Sequence, residues 1–179
     1  MNLANKLTMV RILLIPVFMV FVFVDIPYGK LIAALVFLVA AATDGLDGYV
    51  ARKRNEITNM GKLLDPLADK LLVSAALISL VQTGHIASWM AVVIIGREFL
   101  VTGLRGVAAA EGLVIAASGL AKWKTVFQIS ALSVLLLDDY FIRFVGFSPG
   151  DWLLYLALGF TVYTGYEYMA QTFSSIKMT

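Results

Sequence analysis

The sequence predicts an all-α, polytopic membrane protein of six transmembrane helices. Three observations carry this. Of 179 residues, 60% are hydrophobic and 15% charged, against about 25% charged in an average soluble protein. The mean hydropathy is +0.88. The apolar residues come in long runs rather than in alternation, which disfavours a β-barrel. A span needs about 20 apolar residues, so a chain of 179 residues with short loops holds about six of them. Residues 1–179 are then a single integral membrane domain, with no separate aqueous one.

The six apolar segments run over 7–25, 31–52, 61–83, 87–109, 118–137 and 150–172. The first has Lys6 and Arg11 near its start, as a signal peptide would. No small-residue cleavage pattern follows Val20–Val24, so it reads as a retained helix. Residues 2–6 are expected along the interface before the chain enters the bilayer. Segments two and three are joined by a short loop and run antiparallel as neighbours. Arg52, Lys53, Arg54 and Lys62 lie in that connection, and Lys122 and Lys124 in the one after segment four, with Arg105 just before it. The opposite loops hold Lys30, then His85, then Arg143 beside Asp138, Asp139 and Asp151. Short basic loops stay in the cytoplasm, so both termini are expected there, in a multi-pass protein of the plasma membrane.

Composition narrows the chemistry. With no cysteine, a disulfide scaffold, a thiolate nucleophile and a Cys-ligated zinc are excluded. One histidine, His85, excludes a His-rich metal site and reads as a loop residue. Fourteen Lys+Arg against twelve Asp+Glu is too balanced for a nucleic-acid partner. Carboxylates, Lys/Arg, hydroxyls and bound cofactors are left to do the work.

The carboxylates are the anomaly. Asp44 and Asp47 interrupt the second apolar run, and Asp65 and Asp69 the third. Each costs about 2.5–3.5 kcal/mol at mid-membrane and less near a helix end. Asp44 and Asp47 stand at i, i+3 and Asp65 and Asp69 at i, i+4, so each pair shares a helix face. Antiparallel neighbours bring the two pairs to one height. Arg52 follows Asp47 by about 7–8 Å of helix, which places the cluster near the cytoplasmic interface. Four convergent carboxylates would protonate unless cations neutralised them. Hard oxygen ligands without His or Cys suit Mg²⁺, Mn²⁺ or Ca²⁺, and four suffice for the two-metal site of a phosphoryl transfer. Ion pairs with Arg52, Lys62 and Lys70 are the plainer alternative. Gly45, Gly48, Ala51 and Gly61 leave room beside the carboxylates for a flat ligand, or for tight helix packing.

From Asp44 to Asp69 the chain reads DGLDGYVARKRNEITNMGKLLDPLAD. That stretch resembles the signature of the CDP-alcohol phosphotransferases: D-x-x-D-G-x-x-A-R, eight residues, then G-x-x-x-D-x-x-x-D. Asp44, Asp47, Gly48, Ala51, Arg52, Gly61, Asp65 and Asp69 fill every defining position. The resemblance implies that family's six-helix fold, a homodimer, and an active site open to the cytoplasm. It implies transfer of a phosphatidyl-type group from a CDP-linked lipid to an alcohol, with release of CMP. On that pattern Asp44, Asp47 and Asp65 ligate metal, and Asp69 joins the metal site and acts as the general base. Gly48 and Ala51 admit the cytidine, and Arg52 lies beside the nucleotide. The opening residues 2–11, the run from Arg97 to Arg105 and Lys122-Trp123-Lys124-Thr125 are similar to the branch of the family that makes phosphatidylglycerophosphate. Ala4 and Ala121 depart from that branch, where proline and glycine are usual.

With that branch in view, the donor is CDP-diacylglycerol, held in the membrane by its acyl tails, and the acceptor is glycerol 3-phosphate. The acceptor's phosphate dianion needs fixed cations. Arg97 and Arg105 lie about 12 Å apart along one helix and about 80° apart around it, so both can face one cavity. Lys122 and Lys124 enter at the next helix start. Arg97 could instead pair with Glu98 or Glu167, and the lysines could reflect topology alone. Thr8 and Arg11, at i, i+3, are candidates for holding the donor's pyrophosphate or for anchoring the interface. Serine, inositol phosphate or a second phosphatidylglycerol are alternative acceptors. A cation transporter is the remote rival, expected to show midplane carboxylates in broken, paired repeats.

Overall fold

The structure, a computed structural model, describes residues 3–54, 59–112 and 120–176. The side chains of 3–4, 44–63, 120–122, 145, 173 and 175–176 lie outside that description. The described residues form seven helices and no strand: α1 (Leu3–Phe23), α2 (Gly29–Arg54), α3 (Asn59–Gln82), α4 (Ser88–Ala110), α5 (Leu120–Leu136), α6 (Asp138–Val145) and α7 (Pro149–Ile176).

Six of these are the six apolar segments, with ends shifted by a few residues. Two details are added. Residues 3–6 open α1 as part of one continuous helix. The connection between the last two segments contains α6, a helix of 8 residues. Its local chemistry accounts for it. Asp138 and Asp139 occupy the first turn and Arg143 the last, so the charges complement the helix dipole. Gly146 then ends it in the left-handed conformation at φ 79°, which costs glycine nothing. The chain bends by 72° between α5 and α6.

The core is aliphatic and close-packed. Phe18 of α1 and Phe37 of α2 meet with ring centroids 6.0 Å apart, beside the fully buried Ala33 and Ala40. Small residues on α2 let α1 lie close along it, and α1 packs on α3 as well. Leu72, Leu77 and Leu80 of α3, Ile94 of α4, Leu132 and Leu135 of α5 and Leu154 of α7 close the interior. α5 packs chiefly on α7, and α4 bridges α3 and α7.

The outer surface is apolar too. Leu13, Val92 and Trp152 are 67%, 69% and 71% exposed. Within α1, Asn5–Phe23 is 19 residues long with hydropathy 2.2, enough to cross a membrane. Among the described residues it is the one helix that qualifies alone, and the bent pair α5–α6 qualifies if taken as a single span. The other helices carry the polar residues that line the main cavity.

The up-and-down order sorts the polar residues to two ends. At one end Lys30 donates a hydrogen bond to Asp139 Oδ2, and His85 Nε2 lies 3.6 Å from Asp139 Oδ1. His85 Nδ1 is 2.9 Å from Thr83 Oγ1. His85 thus helps tie the α3–α4 loop to α6, more than a plain loop residue would. The hydrogen bond from Lys30 holds the Asp139 carboxyl below its ordinary value, against the opposing effect of burial. The site lies at the opposite end.

Candidate active site

α3 contributes the two described carboxylates. Asp65 and Asp69 are one turn apart on its first half, as the i, i+4 spacing requires. Thr8 of α1 is fully buried and donates its hydroxyl to Asp65 Oδ1. This contact fixes the carboxylate and presents α1 to the acidic face of α3. Arg11, one turn on and also fully buried, points its Nε at Thr43 Oγ1 of α2, 3.4 Å away. Thr43 spends its own proton on the Ala40 carbonyl at 2.7 Å, so its oxygen is left to accept. Thr8 and Arg11 therefore tie α1 to both helices that carry the Asp signature. The side chains of Asp44, Asp47, Gly48, Ala51, Arg52, Gly61 and Lys122 lie outside the described residues. Among the described residues no three carboxylate or histidine side chains gather as a metal site.

A cavity of about 230 Å³ opens between α3, α4, α5 and α7. Asp69 and Lys70 form one wall, Arg97, Glu98 and Arg105 a second, Lys124 and Thr125 a third, and Glu167, Tyr168 and Gln171 the last. Arg97 and Arg105 do face one cavity, as the angular offset along α4 requires. It is smaller than the roughly 300–1,000 Å³ of drug-sized ligand sites, which suits a small polar molecule.

Each cation is oriented by a neighbour. Arg97 Nη2 donates to Thr164 Oγ1 at 2.9 Å. Thr164 gives its proton to the Phe160 carbonyl at 2.6 Å and so can only accept from the arginine. Gly165 lies against the stem of Arg97: a Cβ there would stand 3.0 Å from Arg97 Cγ. Arg97 Nη1 also lies 3.3 Å from Glu98 Oε1, and Lys124 Nζ donates to the same oxygen. The pairing of Arg97 with Glu98, weighed from sequence as an alternative, is thus present, and it coexists with placement in the cavity. Arg105 sits over the Tyr168 ring, 5.6 Å from its centroid, a cation–π contact that leaves the guanidinium edge available. Four cations (Lys70, Arg97, Arg105, Lys124) against three carboxylates (Asp69, Glu98, Glu167) leave a formal excess of +1 on the walls.

Sequence reasoning missed Thr164, Gly165 and Gln171. They come from α7, far along the chain, and carry no motif. Glu98 entered only as a possible partner of Arg97. Its place next to an arginine in an apolar run was the signal available.

A family model described as CDP-alcohol phosphatidyltransferase matches residues 1–163. The chain belongs to the CDP-alcohol phosphatidyltransferase family. It is 48% identical over 188 residues to a Bacillus subtilis (strain 168) protein named CDP-diacylglycerol–glycerol-3-phosphate 3-phosphatidyltransferase, covering 98% of this chain and 97% of the relative. A Rickettsia bellii (strain RML369-C) protein of the same name is 40% identical over 168 residues, covering 93% of each. An Arabidopsis thaliana relative, number 2 of that name, is 35% identical over 184 residues, covering 94% of this chain and 78% of its own length. In this CDP-alcohol phosphatidyltransferase, the cavity adjoins the second half of the Asp signature through Asp69. The donor set fits a hard divalent cation. Asp65 and Asp69 supply oxygen only, Asp65 is held by a hydroxyl donor, and the single histidine sits at the far end of the bundle.

Proposed function

We infer that this chain transfers the phosphatidyl group of CDP-diacylglycerol to sn-glycerol 3-phosphate, giving phosphatidylglycerophosphate and CMP. The observation that carries the acceptor is the single cavity that joins Asp69 to Arg97 and Arg105. A small phosphate dianion bound there by the arginines would set its hydroxyl end toward the carboxylate. Arginine suits this task because its planar fork meets phosphate with two parallel hydrogen bonds. Similarity along nearly the whole chain to proteins named for this reaction supports the same reading.

Asp44, Asp47, Asp65 and Asp69 would hold Mg²⁺ or Mn²⁺, two ions in this reading, whose charge neutralises the donor pyrophosphate and eases departure of CMP. Thr8 keeps Asp65 oriented, and Arg11 braces α1 against α2. With Gly48, Ala51, Arg52 and Gly61 they shape the donor site. Asp69 receives the proton of the acceptor's primary hydroxyl. The hydroxyl oxygen attacks the lipid-side phosphorus in line, the bond to CMP breaks, and the lipid keeps its phosphate. Lys122 and Lys124 would add positive charge for the acceptor's phosphate. No enzyme nucleophile is required.

The protein in this reading spans the membrane six times, as a homodimer, with the site and both termini in the cytoplasm. The exposed apolar side chains of α1, α4 and α7 support burial in lipid.

The test is CMP release by purified protein in detergent with CDP-diacylglycerol and Mg²⁺ or Mn²⁺, adding glycerol 3-phosphate, serine or inositol phosphate separately. Metal-dependent release with glycerol 3-phosphate alone is expected. Release with another acceptor would keep the reaction and overturn the acceptor. No release with any acceptor would overturn the reaction.

A further inference from the structure

A second, smaller cavity of about 30 Å³ adjoins the first. The two share the walls made by Asp69, Lys70, Glu98, Lys124 and Thr125. The small one adds Val73, Ile129 and one polar residue, Gln128, which lies one helical turn below Lys124 on α5. Gln128 is 3% exposed, and its Oε1 is buried without a hydrogen-bond partner among the described residues. A buried carbonyl oxygen left unpaired is costly, so a hydrogen-bond donor that enters the small cavity gains by meeting it. The space is about that of one water molecule or one hydroxyl group. Only a donor satisfies it, since the amide oxygen accepts and does not donate.

We propose that Gln128 is a specificity residue that accepts a hydrogen bond from the acceptor's secondary hydroxyl; this rests on the glycerol 3-phosphate reading above. The chemistry of that acceptor places the group. Its phosphate is drawn to Arg97 and Arg105, and its reacting primary hydroxyl must reach Asp69. The secondary hydroxyl sits on the carbon next to the reacting one. Asp69 lines both cavities, so a substituent on that neighbouring carbon enters the small one. Lys124 and Glu98 are paired with each other there, and Lys70 Nζ donates to the Pro66 carbonyl at 3.1 Å, while the Gln128 oxygen has no partner among the described residues. An acceptor with hydrogen in place of this hydroxyl would leave the amide oxygen buried and unpaired, and sites built to bind a hydroxyl reject analogues that lack it.

The experiment compares kcat/KM for glycerol 3-phosphate and for 3-hydroxypropyl phosphate, which keeps the phosphate and the primary hydroxyl only. The wild-type protein is expected to favour glycerol 3-phosphate by about 10-fold, the worth of one net hydrogen bond. In Gln128→Leu the ratio should fall close to 1, through a loss of kcat/KM for glycerol 3-phosphate. A purely structural role for Gln128 would lower both substrates alike and keep the ratio, which would overturn the proposal. A wild-type ratio near 1 would overturn it with no variant at all, so a Leu variant that fails to fold does not remove the test; Gln128→Met, unbranched and similar in length, then stands in. If the wild type does not use glycerol 3-phosphate, the acceptor reading fails and this inference with it. If it does and the ratio survives in the variant, the inference fails alone.

Discussion

Gly165 of α7 lies against Arg97 of α4 so closely that a Cβ at 165 would stand 3.0 Å from Arg97 Cγ. The next residue before it, Thr164, accepts the Arg97 Nη2 hydrogen bond at 2.9 Å. One turn of α7 therefore both makes room for the arginine stem and fixes its head. Gly165→Ala should push Arg97 by a few tenths of an ångström. Since a misplacement of about 1 Å can cost about 100-fold, KM for the acceptor is expected to rise by about 3- to 10-fold, with KM for CDP-diacylglycerol unchanged. Steady-state kinetics with each substrate varied in turn checks this.

Removing the arginines themselves should have a larger effect of the same kind. Arg97→Ala and Arg105→Ala each delete a charge-assisted contact of about 1.5–3 kcal/mol, about 10- to 150-fold in acceptor KM. The donor's KM should stay near the wild-type value. Equal losses on both substrates would remove the arginines from the acceptor pocket.

Asp69 and Thr8 should separate chemistry from site assembly. Asp69→Asn removes the proton acceptor, and general-base catalysis is worth about 10²- to 10⁴-fold. Turnover should fall at least that far, with donor binding largely intact by equilibrium binding of labelled CDP-diacylglycerol. Thr8→Val removes the hydroxyl that donates to Asp65 Oδ1. Loss of such a supporting contact typically weakens metal affinity by about 10- to 100-fold, read here as a higher Mg²⁺ or Mn²⁺ concentration for half-maximal CMP release, with a near-normal rate once metal is saturating.

The orientation is open to a direct chemical test because the sequence contains no cysteine. Ser88 at the start of α4 and Ser174 near the end of α7 are both exposed. In intact cells a membrane-impermeant maleimide should label Ser88→Cys. Ser174→Cys should react only after permeabilisation. The reverse pattern would invert the topology.

The six long helices were legible because their apolar residues come in long runs rather than in alternation. A run of about 20 residues leaves only the ends uncertain. α6 was not legible in that way. It is too short and too mixed to stand out, and what marks it is end chemistry: Asp138 and Asp139 at its start and Gly146 at its stop. Asp65 and Asp69 stood out because charge in an apolar run is expensive and the spacing is local, and the structure puts Asp69 on the cavity wall; Asp44 and Asp47 lie outside the described side chains. The convergence of Arg97 and Arg105 followed from helix geometry within one element. Thr164 and Gly165 could not be found so, since their meaning comes from α7 lying on α4. Gln128 is one amide on a long apolar helix, and only the packed structure shows its oxygen buried without a partner among the described residues.

The central claim is that glycerol 3-phosphate enters the cavity beside Asp69 and leaves as part of a lipid. It is tested most directly by supplying glycerol 3-phosphate labelled on carbon to purified protein with CDP-diacylglycerol and Mg²⁺, then measuring label in the lipid phase alongside CMP. The account predicts one labelled lipid per CMP released, with both lost together in Asp69→Asn. CMP released while the label stays in water would contradict it.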